Sequence, residues 1–256
     1  MKPVVVVGLG QMGGVFAHAF LRAGHPVYPV TREASVGEVG ERVLAPALTM
    51  ICVAEADLEA ALASLPMRWR VSVGLLQNEL LPRDWEAHAI ADPTVAVVWF
   101  EKKKTTPVTP IRPTLVAGPQ AAMVVEALRS IDIPAEAIES GEPLVHALAA
   151  KNLYILTANI GGLATGADTV GELWREHRVT AEAHFDEIFS VQRHLAAAEL
   201  PRDELLHDVL DAVAADPDHK AKGRTARARL LRTLEHARTA ALSTPRLAEL
   251  AGDEEE

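Results

Sequence analysis

The chain has 256 residues, of which 49% are hydrophobic, enough for one large or two modest buried cores. Its 25 basic and 35 acidic side chains leave a net charge of −10, which argues against a nucleic-acid backbone as partner. No apolar stretch approaches a membrane span, and the single cysteine, Cys52, cannot form an internal disulfide, so a reducing cytoplasm is the expected setting.

A valine run, Val4 to Val7, breaks into Gly8-Leu9-Gly10-Gln11-Met12-Gly13. Glycines at 8, 10 and 13 interrupt the apolar start too early for a signal peptide. Helical spacing follows at once, with Met12, Phe16 and Phe20 recurring every four residues and Val15 and Ala19 filling the same face. Gly24 ends that helix, and Val27 to Val30 reads as a second strand. Strand, glycine turn, helix and strand in this order form the context in which GxGxxG binds a dinucleotide. Gly8 allows the turn, Gly10 lets the pyrophosphate approach, and Gly13 lets helix and strand pack. The free N–H groups of Leu9 to Gly13 at the helix start face the phosphates.

The end of the second strand selects between dinucleotides. An NAD site places an acidic residue there to accept from the ribose 2′-hydroxyl. This chain has Thr31-Arg32-Glu33, and a hydroxyl beside a guanidinium suits a 2′-phosphate, so NADP (as NADPH) is the expected cofactor. Glu33 is the one residue that could neutralise Arg32 or take the ribose itself.

Further on, Arg42-Val43-Leu44 reads as a short strand and Leu48 to Val53 as a firmer one. Fifteen residues between Arg32 and Leu48 leave no room for a full helix and strand, and Pro29 belongs on an edge. The second strand is therefore expected at or next to the sheet edge. Asp57 to Leu65 and Gln120 to Ile131 read as helices, and Val71 to Leu76, Thr94 to Phe100 and Thr114 to Ala117 as strands. Lys102-Lys103-Lys104 reads as a solvated hairpin. From Glu142 strands vanish, and helices are expected at about 143–165, 169–177, 180–198, 202–214, 222–240 and 246–251. The fold class is α/β. A Rossmann-like, doubly wound and mostly parallel sheet (1–142) precedes an all-α domain (143–256).

Within the first long helical segment, Lys151, Ile155 and Asn159 share one stripe. A lysine and an amide on one stripe can serve as a proton donor and a carbonyl-orienting group, with partial burial lowering the lysine pKa. The ten histidines are scattered; His184 and Glu187 form an HxxE pair on one helix face, but no ligand cluster marks a metal site.

The N-terminal stretch, Gln77-Asn78 after the fourth strand and the Lys-x7-Asn helix together resemble the ketopantoate reductase family. The similarity runs at low level over nearly the whole chain, including Thr169 to Leu173, Glu187 and His219-Lys220. It implies a Rossmann domain binding NADP, a helical domain, and a small carbonyl substrate held between them. Lys151 takes the place of the family's general acid, Asn159 that of its second helix asparagine, and Asn78 that of the asparagine beside nicotinamide and substrate. The chain departs from the family at four places. Ile155 replaces an asparagine, Glu79 a glycine and Ala54 a lysine, and 218–238 contains no serine to match a late substrate-binding one. The expected activity is NADPH-dependent reduction of a small ketone or 2-oxo acid, ketopantoate being the substrate least supported. Two alternatives are a non-catalytic NADP(H)-binding sensor or interaction protein, and a relative of the hydroxyacid or prephenate dehydrogenases. The long apolar helix could support a homodimer.

Overall fold

The computed structural model describes residues 1–252; the acidic stretch 253–256, part of the negative excess, lies outside the described residues. The chain divides into two compact units, Met1–Ala147 and Leu148–Glu256. The division falls inside the long helix that begins at Glu142, about a turn beyond the change of sequence texture.

The first unit opens with β1 (Val4–Val7), α1 (Gln11–Arg22) and β2 (Val27–Val30). There follow α2 (Val36–Arg42), β3 (Leu48–Ile51), α3 (Leu58–Ala63), β4 (Val73–Leu75), α4 (Pro82–Glu86) and β5 (Thr94–Val97). A small hairpin, β6 (Phe100–Glu101) and β7 (Thr109–Pro110), leads to β8 (Thr114–Ala117), α5 (Ala121–Arg129) and β9 (Ala135–Ala137). The seven-stranded sheet has the order β2-β1-β3-β4-β5-β8-β9. All neighbours are parallel except β5 and β8. The continuous valines of β1 are buried throughout, as a central parallel strand covered on both faces requires. On one face Phe16 and Phe20 of α1 and Val124 and Leu128 of α5 pack over Val4, Val6, Leu48 and Met50.

β2 is an edge strand, so the missing N–H of Pro29 costs no ladder bond. The segment expected as a strand at Arg42-Val43-Leu44 instead holds the last residue of α2, Arg42, its cap, Val43, and the first residue of the following bend. Ser35 caps this helix by accepting from the Glu38 N–H while the Glu38 carboxylate accepts from the Ser35 N–H. This reciprocal box fixes the first turn and outweighs a three-residue strand pattern. β9 was not foreseen, having three residues and following Pro134. The lysine run lies on the β6–β7 hairpin, where Lys102 donates to the carbonyls of Lys103 and Thr106 and Lys103 pairs with Glu101.

The second unit is helical: the rest of α6 (Glu142–Thr165), then α7 (Val170–Glu176), α8 (Arg178–Ala196), α9 (Arg202–Ala215), α10 (Ala226–Thr239) and α11 (Pro245–Gly252). α8 lies against α7, α10 and α11, with Ala181, Phe185 and Ile188 fully buried. Among the described residues no helix is long and apolar enough to cross a membrane.

The HxxE pair has a structural role. Both oxygens of Glu187 accept backbone N–H groups of α11, from Arg246 and Leu247, so this carboxylate caps the last helix from a neighbouring one. His184 is buried, and its Nδ1 has no hydrogen-bond partner. Burial holds its pKa below the ordinary value, with Glu187 opposing and Arg246 assisting. The unfolded chain therefore takes up this proton at a higher pH than the folded chain. The His184 contribution is intact above about pH 6.5 and is lost as pH falls through that value toward the folded pKa. The thermal midpoint is expected to drop between about pH 7 and pH 5, and His184→Leu to drop less. Parallel midpoint curves for the two proteins would remove His184 as the cause.

Candidate active site

The strands β1, β2, β3 and β4 run parallel, so their carboxyl ends share one sheet edge, where an open α/β sheet binds its ligand. Register pairs Val7 with both Val30 and Ile51, so Gly8, Thr31 and Cys52 leave the edge side by side. The Gly8 N–H donates to the Val30 carbonyl at 2.9 Å, and Cys52 donates to Val7 at 2.7 Å.

The sequence turns directly from β1 into α1 because three glycines permit three different things. Gly8 has φ +88°, and the Cys52 carbonyl lies 3.2 Å from where a Cβ would stand. A Cβ on Gly13 would lie 1.9 Å from the Gly8 carbonyl oxygen, so helix and turn touch through bare backbone. At Gly10 a Cβ would meet nothing within 4 Å, which leaves the approach to the helix start open to a ligand. No side chain caps α1, so its first N–H groups and the positive end of its dipole are available to an anion. A pocket of about 280 Å3 borders these turns, lined in part by Gly10, Gln11, Gly14, His18, Lys102 and Ile131. The geometry fits a dinucleotide pyrophosphate. Cys52 underlies the turn as buried packing, and burial pushes its thiol pKa up, so it is not a nucleophile.

At the end of β2, Thr31 Oγ1 accepts from the N–H groups of Glu33 and Ala34, each at 3.2 Å. With those acceptor positions used, its O–H remains to donate, which suits a phosphate oxygen. Arg32 is exposed, and among the described residues no ion pair joins it to Glu33. The neutralisation that Glu33 could have supplied is therefore not made.

Beyond β4, Gln77 is buried, donating to the carbonyls of Ile51 and Val53 while its own oxygen accepts from Leu76 N–H. It ties the ends of β3 and β4 together and turns Asn78 outward, where Asn78 donates to Glu55 at 3.0 Å. Glu55 was not singled out from the sequence, since its pairing spans 23 residues.

In the second unit, Lys151 and Ile155 are half-buried and Asn159 is buried, all on α6. Asn159 donates to the Ala221 carbonyl at 3.0 Å and accepts from Arg229 at 2.9 Å. Its amide thus joins α6 to α10 and to the turn before it, and brings in a buried guanidinium that sequence reasoning missed. The Lys151 ammonium lies 5.7 Å from the ring centre of Tyr154, whose hydroxyl meets His219 Nδ1 at 2.9 Å. Among the described residues no cluster of ligands could hold a metal ion.

No family model matches the sequence, and no curated protein matches it. Solved structures match its fold. The 2-dehydropantoate 2-reductase from Methylococcus capsulatus has a TM-score of 0.68 at 16% identity, over 99% of this chain and 96% of that one. The fold is that of the ketopantoate reductases. A dimeric ketopantoate reductase from Staphylococcus aureus matches with a TM-score of 0.65 at 16% identity, over 98% of this chain and 96% of that one. A D-mandelate dehydrogenase in complex with NADH matches at 0.66 and 15% identity, over 100% and 99%. On this ketopantoate reductase fold, Glu79 stands where the resemblance implies glycine, and its φ is +62°. The turn after Gln77-Asn78 thus keeps a left-handed backbone that favours glycine, although the residue has changed.

Proposed function

We propose that this protein is an NADPH-dependent reductase of the ketopantoate reductase type, acting on a small ketone or 2-oxo acid. The observation that carries the reading is the open, uncapped glycine turn of β1–α1 with Thr31 and Arg32 at the adjacent strand end. Bound NADPH supplies a hydride to the substrate carbonyl carbon. The N–H groups of Leu9, Gly10, Gln11, Met12 and Gly13 hold the pyrophosphate, while the Thr31 hydroxyl and Arg32 hold the 2′-phosphate. Asn78, oriented by Glu55, takes the nicotinamide and substrate side. Lys151 gives one proton to the oxygen that becomes the alcohol and is left as a neutral amine, reloaded from solvent. Asn159 acts through the Arg229 guanidinium that it holds. The long α6 and the dimeric neighbour support a homodimer.

Fluorescence titration with NADPH, followed by a panel of 2-oxo acids including ketopantoate, tests the reading. Oxidation of NADPH by one of them identifies the substrate class, and absence of binding overturns the proposal. Arg32→Ala should weaken NADPH by about 10- to 100-fold and NADH little, as loss of a charge-assisted contact implies. Equal loss for both would remove the 2′-phosphate role.

The replacement at Glu79, held at φ +62°, favours a second reading: a nucleotide-binding sensor in which the substrate side has been rebuilt. Tight NADPH binding without turnover across the panel would select it.

A further inference from the structure

We propose that Tyr154 is the positioning residue of Lys151. Its ring face holds the ammonium, and its hydroxyl, locked to His219, holds the ring. This rests on the reading of Lys151 as the proton donor.

Lys151 and Tyr154 are three apart on α6 and so lie on the same side of the helix. The ammonium sits 5.7 Å from the ring centre, within the range at which a π face attracts a cation. Tyr154 is only 2% exposed, so its hydroxyl needs a partner to avoid a desolvation cost, and His219 provides it at 2.9 Å.

The position of His219 is itself fixed. It lies on the turn between α9 and α10, and that turn is stapled to the start of α7. The His219 carbonyl accepts from Val170 N–H at 2.9 Å, and Ala221 N–H donates to Asp168 at 3.0 Å. A β-bridge joins Thr169 to Lys220 between them. The turn is therefore held on both sides of His219, which keeps the partner of the Tyr154 hydroxyl in place. Attraction to the ring favours the charged form, the form a proton donor must have before reaction. Asp216, Asp218, Lys220, Lys222 and Arg224 are the charged groups on the turn beside His219, Asp168 and Glu172 those at the start of α7, and Glu142, His146 and Arg229 those carried by or bonded to α6.

The test needs no substrate. The chain has seven lysines, and reductive methylation with 13C-formaldehyde gives each a methyl probe that keeps its charge and its affinity for aromatic faces. A methyl lying over a ring is shifted upfield by the ring current. The Lys151 signal, assigned by its loss in Lys151→Arg, is expected upfield of the other six. It should return among the others in Tyr154→Leu and move part of the way toward them in Tyr154→Phe, which keeps the ring but loses the bond to His219. An unshifted Lys151 signal in the wild type, or one indifferent to Tyr154→Leu, overturns the proposal. On any 2-oxo acid that the wild type reduces, Tyr154→Leu should lower kcat about tenfold with NADPH binding unchanged. Tyr154→Phe should recover part of that loss. If the wild type reduces none, the reductase reading fails and the methyl signal alone decides whether Tyr154 holds Lys151.

Discussion

Replacing Gly13 by alanine is expected to cost about 3 kcal/mol or more in stability and to abolish NADPH binding. The added Cβ would stand 1.9 Å from the Gly8 carbonyl oxygen and 3.2 Å from Cys52 Cβ, so the obstacle is backbone and cannot rotate away. Gly10→Ala is the control, because its Cβ meets no protein atom within 4 Å. That variant should unfold at nearly the wild-type denaturant concentration yet bind NADPH at least about tenfold more weakly, since the methyl occupies the pyrophosphate approach. Denaturation and nucleotide titration of the pair separate the two effects. Equal stability for Gly13→Ala and the wild type would mean that helix and turn part more easily than their contact implies.

Lys151→Ala carries the second large effect. On the proposed role, loss of the proton donor lowers kcat by about 10^2- to 10^4-fold, and the proposed nucleotide-binding turn lies elsewhere in the chain, so NADPH titration should be unchanged. Once a substrate is in hand, single-turnover mixing of NADPH-loaded enzyme with it measures the loss directly. Turnover that survives the substitution would mean another group protonates the product oxygen.

The proposed nucleotide-binding turn in the first unit could be read from the sequence because it is local. A valine run, three glycines and a four-residue apolar period lie within one short stretch, and the edge position of β2 followed from Pro29 and the length of the next connection. The candidate residues of the second unit depend on distant pairings that no periodicity reveals. Tyr154 and His219 are 65 residues apart, and Asn159 and Arg229 are 70. Asn159 was read as facing substrate because its spacing from Lys151 puts both on one stripe. The stripe is real, but a side chain on it is free to meet a neighbouring helix instead. At α2, the short Arg42-Val43-Leu44 pattern drew attention from the Ser35-x-x-Glu38 signature, which was readable all along.

The two rims of the large sheet are closed to strangers. β2 offers a rim interrupted by Pro29, and the opposite rim, β9, is three residues long and starts after Pro134. A strand from another molecule seeking a continuous row of donors and acceptors finds a gap at one side and too short a run at the other. β1 is an uninterrupted valine run, a composition that drives chains to stack when exposed. Pro29 and Pro134 thus deny folded copies a continuous rim on which to pair.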